Sequence, residues 1–132
     1  MKLLLPALAT AASVAFIFGA ASVAQAEAKP ISGTFTGLSD HITTGGVSIV
    51  TTAEGTTVVL LDADFSLDGA PDPSVGFGIN GEYVSATDLG DLQNLNGLQA
   101  YVVPANINVA DFDQVYIWCD QFSVPLGVAE IN

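Results

Sequence analysis

Residues 115–122, which read VYIWCDQF, are the stretch that decides how this chain folds. β-Branched and aromatic residues dominate the stretch, and such residues favour a pleated strand. Successive side chains of a strand point to opposite faces, so one face is predicted to carry Val115, Ile117 and Cys119. The other face is predicted to carry Tyr116, Trp118 and Asp120. The stretch also holds the only cysteine and the only tryptophan of the chain.

Short apolar or β-branched runs, separated by turn signals, flank this stretch. Asn80-Gly81 lies between two such runs and predicts a tight hairpin. A long strand is predicted over residues 56–65, with Val59, Leu61, Ala63 and Phe65 on one face and Asp62 and Asp64 facing water. Further strands are predicted at residues 34–36, 47–52, 98–103 and 122–131.

Helices contribute little to the predicted fold. Residues 88–95 and 106–112 allow at most a short helical turn, and no long amphipathic pattern occurs. Several short strands with turn-punctuated spacing predict a single all-β domain, either an antiparallel β-sandwich or a partly open barrel. A doubly wound α/β fold is excluded because no room is left for helices between the strands.

The N-terminus has the pattern of a secretory signal peptide over residues 1–26. Lys2 is followed by a long apolar run, and Ala24-Gln25-Ala26 supplies a small-x-small cleavage pattern. The run is also long enough for a membrane anchor, but the polar chain that follows favours cleavage. No twin-arginine pair is present, so Sec-type export to the periplasm or the outside of the cell is expected. Residues 27–32 then form a short leader, and residues 33–132 form the domain.

The charge balance excludes several partners. The whole chain has 14 acidic residues against two basic ones, Lys2 and Lys29. Phosphate backbones need Lys and Arg to neutralise them, so nucleic-acid binding is excluded, and so is docking to anionic lipid. The mature form is accordingly not expected to be embedded in a membrane.

Metal and hydrolytic sites find little support in the residues available. A structural zinc site needs about four Cys or His ligands, whereas the chain has one of each, Cys119 and His41. A blue-copper site needs a second histidine. The acidic run from Asp62 resembles the start of an EF-hand loop, but Leu67 and Pro73 stand where glycine and glutamate are required. We therefore expect no metal site, although a looser calcium site at the acidic loop of residues 62–72 stays open as an alternative. No serine-hydrolase elbow occurs either.

Cys119 has two competing interpretations. A free cysteine often behaves as a small buried hydrophobe, and its strand-face neighbours fit that role. An exported unpaired thiol, however, meets oxidants, which favours a thiol that is either buried or used. Non-covalent haem also stays open, because Cys119, His41 or a tyrosine can each ligate iron.

The ordered motifs of the chain resemble the DM-thirteen domain. They begin with His41-x-x-x-Gly45-x-Val47 and continue through Asp64-Phe65, Asp68-Gly69 and Pro71-Asp72. They resume at Leu89-Gly90-x-Leu92, Gly97-x-Gln99-x-Tyr101 and Pro104. They end with Val115-x-Ile117-Trp118-Cys119-x-x-Phe122 and Ala129. The resemblance covers about residues 33–131.

The resemblance implies a β-rich exported domain with a redox or electron-transfer role. It implies that Cys119 is the redox centre, as a bare thiol or as a ligand to a prosthetic group such as haem, and that His41 is a second candidate ligand. The chain has no DOMON domain, the usual companion of this module, so the redox partner is expected to be a separate molecule. The alternative is a non-catalytic secreted binding or adhesion domain that buries Cys119 in its core. A hydrolase is the third and weakest interpretation.

Overall fold

The computed structural model describes residues 30–132, and the described residues form an all-β structure. The predicted signal peptide and residues 27–29 lie outside the described residues. Within residues 30–132, ten strands follow one another: β1 Ile31–Gly37, β2 Thr43–Thr44, β3 Gly46–Thr51, β4 Thr57–Leu61, β5 Ser66–Leu67, β6 Pro73–Ile79, β7 Glu82–Tyr83, β8 Gln99–Val103, β9 Gln114–Cys119 and β10 Val124–Glu130. Short 3₁₀ turns occupy Ser85–Thr87 and Val109–Asp111. Among residues 30–132 no helix is long and apolar enough to span a membrane.

One antiparallel sheet of eight strands curls into a half-barrel, in the order β7-β6-β9-β10-β1-β3-β4-β8. Strand β1 lets the sheet bend, because its two halves pair on opposite sides. Residues 31–34 pair with β3, whereas residues 35–37 pair with β10. A strand that switches partners in this way forms the corner of a sheet. The predicted all-β antiparallel class is therefore confirmed, in its partly open form.

The core fills the concave side of the curled sheet. Strand β9 shows the predicted alternation, since Val115, Ile117 and Cys119 all lie in the core cluster. Apolar residues of the other strands and of the segment before β5 complete this cluster, among them Val47, Ile49, Val59, Leu61, Phe65, Val75, Phe77 and Leu126. Burial of this face is the main stabilising contribution to the fold, at about 25 cal/mol per Å² of apolar surface.

The prediction of one continuous strand over residues 56–65 is wrong. Strand β4 ends at Leu61, a turn follows, and Ala63 is exposed instead of facing the core. The two aspartates explain the break, because their carboxylates bind groups on β3 and at its entry. Asp62 accepts from the Ser48 hydroxyl at 3.1 Å, and Asp64 accepts from the Gly46 amide at 3.0 Å.

The predicted hairpin turn at Asn80-Gly81 forms as expected. Asn80 and Gly81 have φ values of 53° and 81°, and Ile79 pairs with Glu82. Two successive residues with positive φ are the signature of a type I′ turn, which the Asn-Gly sequence favours. At the N-terminus, strand pairing begins at Ile31, two residues earlier than the expected start of the domain.

A bulge in β10 shapes the end of the sheet that carries Cys119. The register with β9 shifts between Pro125 and Gly127, which leaves Leu126 as the extra residue. Its carbonyl accepts from the Leu38 amide at 3.0 Å and from the Thr43 hydroxyl at 2.8 Å. The segment between those two residues, which contains His41, is thereby held against β10.

Candidate functional site

Cys119 is the last residue of β9 and is buried. Only 1% of its surface is exposed. Its neighbours across the sheet are Pro73 on β6 and Val124 on β10. The thiol donates a hydrogen bond to the Pro71 carbonyl oxygen at an Sγ–O distance of 3.1 Å. The single thiol is therefore covered by the chain that leads into β6.

The covering chain is the 68–72 loop, which joins β5 to β6. Besides the thiol contact, three polar contacts anchor it. The Asp68 amide donates to the Ile42 carbonyl at 3.0 Å, and the Asp120 amide donates to the Asp72 carbonyl at 3.1 Å. The Asp68 side chain binds His41. Gly69 and Asp72 have positive φ values of 115° and 51°, so two residues of the loop adopt left-handed backbone conformations.

His41 anchors the other end of the loop. Its Nδ1 donates to Oδ1 of Asp68 at 2.9 Å, and both side chains are partly exposed. The hydrogen bond from His41 is the main reason why the pKa of Asp68 lies below its usual value, and the backbone contact with Ile42 lowers it further.

His41 and Cys119 are thus linked through hydrogen bonds to the same loop rather than to each other. His41 binds the first residue of the 68–72 loop, and Cys119 binds the carbonyl of Pro71 near its end. Among the described residues no hydrogen bond joins the two side chains. Both residues predicted as site candidates therefore converge on the same short segment.

The residues around Cys119 do not fit a haem. Its sulfur is buried and donates to Pro71, so iron has no approach to it while the 68–72 loop is closed. His41 uses Nδ1 to bind Asp68 and lies at the opposite end of that loop. The residues present at this site therefore offer no haem-binding pocket while the loop is closed.

Three aromatic rings cover the outer face of the sheet behind Cys119. Tyr83 stacks on Trp118 with ring centroids 4.3 Å apart, and Tyr116 meets both rings edge-on. Gly76 and Gly78 make room for this cluster, since a Cβ at either position would meet the ring of Tyr83 or Tyr116. The predicted outer face of β9 is thus largely covered by packed aromatic rings, of which Tyr83 and Trp118 stay partly exposed.

Tyr83 and Ser74 carry an unusual feature in this cluster. Their hydroxyl oxygens are the two buried side-chain polar atoms of residues 30–132 that lack a hydrogen-bond partner. Burial, and then the nearby Asp88 carboxylate, raise the pKa of Tyr83 to about 12. The proximity of the Ser74 side chain partly offsets this rise.

Replacing Tyr83 by phenylalanine should leave stability at pH 7 unchanged or raised by up to about 1 kcal/mol, because a hydroxyl without a partner is removed. The folded pKa of Tyr83 is about 12, above the ordinary value of 10. The stability that the neutral phenol contributes is therefore fully present below pH 10 and is lost as the pH rises toward 12. Tyr83→Phe should consequently lose stability less steeply over this range, as measured by urea unfolding at a series of pH values.

Tyr101→Phe is the matched control. The Tyr101 hydroxyl donates to Gln99 at 2.6 Å and accepts from the Gln93 amide at 2.8 Å. Its loss should cost about 1–3 kcal/mol, because these partners are left unpaired. Equal costs for the two variants at pH 7 would contradict the assignment of Tyr83 as unsatisfied.

The sequence pointed to His41 and Cys119 as site candidates but did not indicate which residues they hydrogen-bond to. Asp68 and the Pro71 carbonyl bind the two candidates directly. Both partners lie within the Asp68-Gly69 and Pro71-Asp72 motifs, which carried part of the resemblance. The sequence motifs therefore contained the partner residues, although only the structure shows what these residues contact.

Comparison with known proteins gives the family of the chain. A family model described as electron transfer DM13, the DM-thirteen domain, matches residues 34–131. No curated protein and no solved structure matches the chain significantly. The matched span includes His41, the 68–72 loop and Cys119, and it covers most of the chain. The chain therefore belongs to the electron transfer DM13 family.

Proposed function

We propose that this protein is an exported redox module whose electron-exchanging group is the thiol of Cys119. The observation that carries the proposal is the hydrogen bond from this thiol to Pro71. It ties the only thiol of an electron-transfer family member to a short loop with few anchors. Such a thiol is protected when the loop is closed and reachable when it opens.

The proposed chemistry is thiol–disulfide exchange with a disulfide of a separate molecule. The Cys119 thiolate attacks one sulfur, the S–S bond of the partner breaks, and a mixed disulfide forms. The displaced sulfur leaves as a thiolate, which takes up the proton that Cys119 gave to solvent. Cys119 is thereby oxidised to the mixed disulfide and one partner sulfur is reduced to a thiol, while the other partner sulfur stays bonded to Cys119. A second thiol of the partner reverses the step by attacking the mixed disulfide.

Access to Cys119 requires that the 68–72 loop move. Ala70 packs against the core, but Pro71 and Asp72 are exposed, so the moving part buries little apolar surface. Segments with few buried contacts open locally at a lower free energy than the whole domain unfolds. His41, by holding Asp68, acts in this scheme as a positioning residue.

Two exposed apolar side chains next to the loop offer contact to a redox partner. Ile42 is 67% exposed and its carbonyl binds Asp68. Phe122 is 62% exposed and lies in the turn that follows Cys119 and Asp120. A partner that binds both side chains would sit over the loop that covers the thiol.

Export is proposed from the N-terminal sequence. Ala24-Gln25-Ala26 follows a long apolar run in the pattern that signal peptidases cleave. The mature protein is then expected to begin at Glu27 and to act in the periplasm or outside the cell. This location matches a redox role, because disulfides persist in oxidising compartments.

The test compares wild type with Cys119→Ser, both recovered from the exported fraction. Intact mass should show a chain that begins at Glu27. Incubated with oxidised glutathione in redox buffers of graded potential, the folded wild type should gain one glutathione, and the fraction modified gives the potential. Cys119→Ser should gain none while staying folded, because a new buried hydroxyl costs only about 1–3 kcal/mol.

A binding domain is the second candidate function, favoured by the 1% exposure of Cys119. It predicts that the folded wild type gains no glutathione at any potential, whereas the unfolded protein does. That result would overturn the redox proposal. A mass that still includes Met1 would overturn the export proposal alone.

A further inference from the structure

Three aspartates from separate segments meet beside the 68–72 loop. Asp72 precedes β6, Asp120 follows β9, and Asp91 lies in the chain that bridges to Ser74. One carboxylate oxygen of each lies within 4.8 Å of those of the other two. The backbone fixes this arrangement, because the Asp120 amide donates to the Asp72 carbonyl and Ser74 pairs with both Asp91 and Trp118.

Nothing in the described part of the chain neutralises these carboxylates. Residues 30–132 contain no lysine and no arginine, and the one histidine, His41, binds Asp68. Burial first, and then the like charges of Asp88, Asp72 and Asp91, raise the pKa of Asp120. The fold thus holds the three carboxylates close together, because the backbone hydrogen bonds beside them keep them from moving apart.

A buried hydroxyl lies beside the aspartate group. Ser74 is 0% exposed, and its Oγ lacks a hydrogen-bond partner. Ser74 lies on β6 opposite to the buried Val75, and it pairs with Asp91 and with Trp118, which lies two residues before Asp120. Ser74 lies close enough to the Asp120 carboxyl to lower the pKa of that group. A buried hydroxyl without a partner is destabilising, and a ligand at this position would relieve that cost.

We propose that Asp72, Asp91 and Asp120, together with the Ser74 hydroxyl, form a calcium site. Calcium binds hard oxygen ligands at 2.3–2.6 Å in flexible geometry, so two ligands of one ion lie at most about 5 Å apart. The carboxylate separations fall within that limit. Magnesium is smaller and demands a near-ideal octahedron, which makes it the poorer fit. The site differs from the EF-hand-like run at Asp62, and it departs from the expectation that the chain holds no metal.

The position of the site has a consequence for Cys119. Asp72 follows Pro71 in the chain, and Asp120 follows Cys119, so the ion would join the residues next to both ends of the thiol hydrogen bond. Calcium should therefore hold the 68–72 loop closed. This consequence concerns the accessibility of the thiol, and it holds whether or not Cys119 exchanges electrons. Where the proposed redox function applies, calcium becomes its inhibitor.

Terbium, a luminescent substitute for calcium, gives the direct test. Trp118 stacks on Tyr83 and lies two residues from Asp120, so tryptophan excitation should sensitise an ion bound here. Wild type should show terbium luminescence that calcium displaces and magnesium displaces poorly. The calcium affinity is expected near that of extracellular modules, with a Kd of about 10⁻⁴–10⁻³ M.

Variants separate this site from general attraction to an acidic protein. Asp120→Asn and Asp91→Asn should weaken terbium binding about tenfold or more, because affinity follows the number of charged ligands. Asp111→Asn removes the same charge from an exposed position outside the aspartate group and should bind like wild type. Ser74→Ala should weaken binding while leaving the metal-free protein as stable as wild type or more so.

Two results would overturn the calcium site, and a third would overturn its link to the 68–72 loop. Equal binding by wild type and Asp120→Asn would show only diffuse attraction. Displacement of terbium by sodium at matched ionic strength would show the same. In the third measurement, saturating calcium should slow alkylation of Cys119 in folded wild type but not in Asp120→Asn. An unchanged rate in calcium-bound wild type would overturn the link to the loop, and glutathione exchange in calcium-free buffer still tests the redox function separately.

Discussion

Cys119 should react with a maleimide at least about 100-fold more slowly in the folded protein than in guanidinium-unfolded protein. The thiol is 1% exposed and hydrogen-bonded to Pro71, so reagent reaches it only after an opening event. A local opening that costs about 3 kcal/mol slows the reaction by about two orders of magnitude. The rate is measured by quenching the reaction at intervals and weighing the intact protein.

The denaturant dependence of this rate identifies the opening. Local movement of the 68–72 loop exposes little surface, so low concentrations of urea should raise the alkylation rate only slightly. Asp68→Asn should raise the rate without a matching loss of global stability, because it weakens the anchor at His41. Asp111→Asn is again the matched control and should leave the rate unchanged.

A steep urea dependence, equal to that of global unfolding, would contradict the loop mechanism. Cys119 would then be reached only from the unfolded state, as in a binding domain that uses the thiol as core filler. The magnitude of protection and its urea slope are thus separate results, and the slope decides between the two functions.

Phe77→Ala should destabilise the domain by about 3–5 kcal/mol, the usual cost of truncating a buried phenylalanine. Phe77 is 0% exposed and stacks on Phe112 with centroids 5.5 Å apart. A typical domain has only about 5–15 kcal/mol of stability, so the variant is expected to be close to unfolding. For a domain of this size the melting temperature should fall by about 15–30 °C.

Phe122→Ala makes the same chemical change at a side chain that is 62% exposed. Its cost should stay within about 0.5 kcal/mol, as for most surface substitutions. Similar losses in the two variants, measured by thermal and urea unfolding, would contradict the described core. If Phe122→Ala is stable yet exchanges more slowly with a protein disulfide, Phe122 contributes to partner binding.

Local pattern was enough to predict the strands and the class of the fold. The alternation in VYIWCDQF put Val115, Ile117 and Cys119 on one strand face, and the structure shows that this face lies in the core. The Asn80-Gly81 turn likewise follows from the conformational preferences of two adjacent residues. Side-chain alternation predicted the wrong structure at residues 62–64, because Asp62 binds the Ser48 hydroxyl and Asp64 binds the Gly46 amide, both on β3. Their partners lie 14 and 18 residues away, beyond any local period.

The candidate site, like the fold, could be predicted from the sequence only in part. The sequence by itself determined that one thiol exists, that it shares a strand face with Val115 and Ile117, and that no basic side chain follows Lys29. Only the tertiary structure decided that Pro71, 48 residues away, covers the thiol and that Asp68, 27 residues away, binds His41. It also decided that Asp72, Asp91 and Asp120 meet. The physical reason is that side-chain period reports which face a residue occupies, whereas sheet register and loop closure determine which distant residues that face meets.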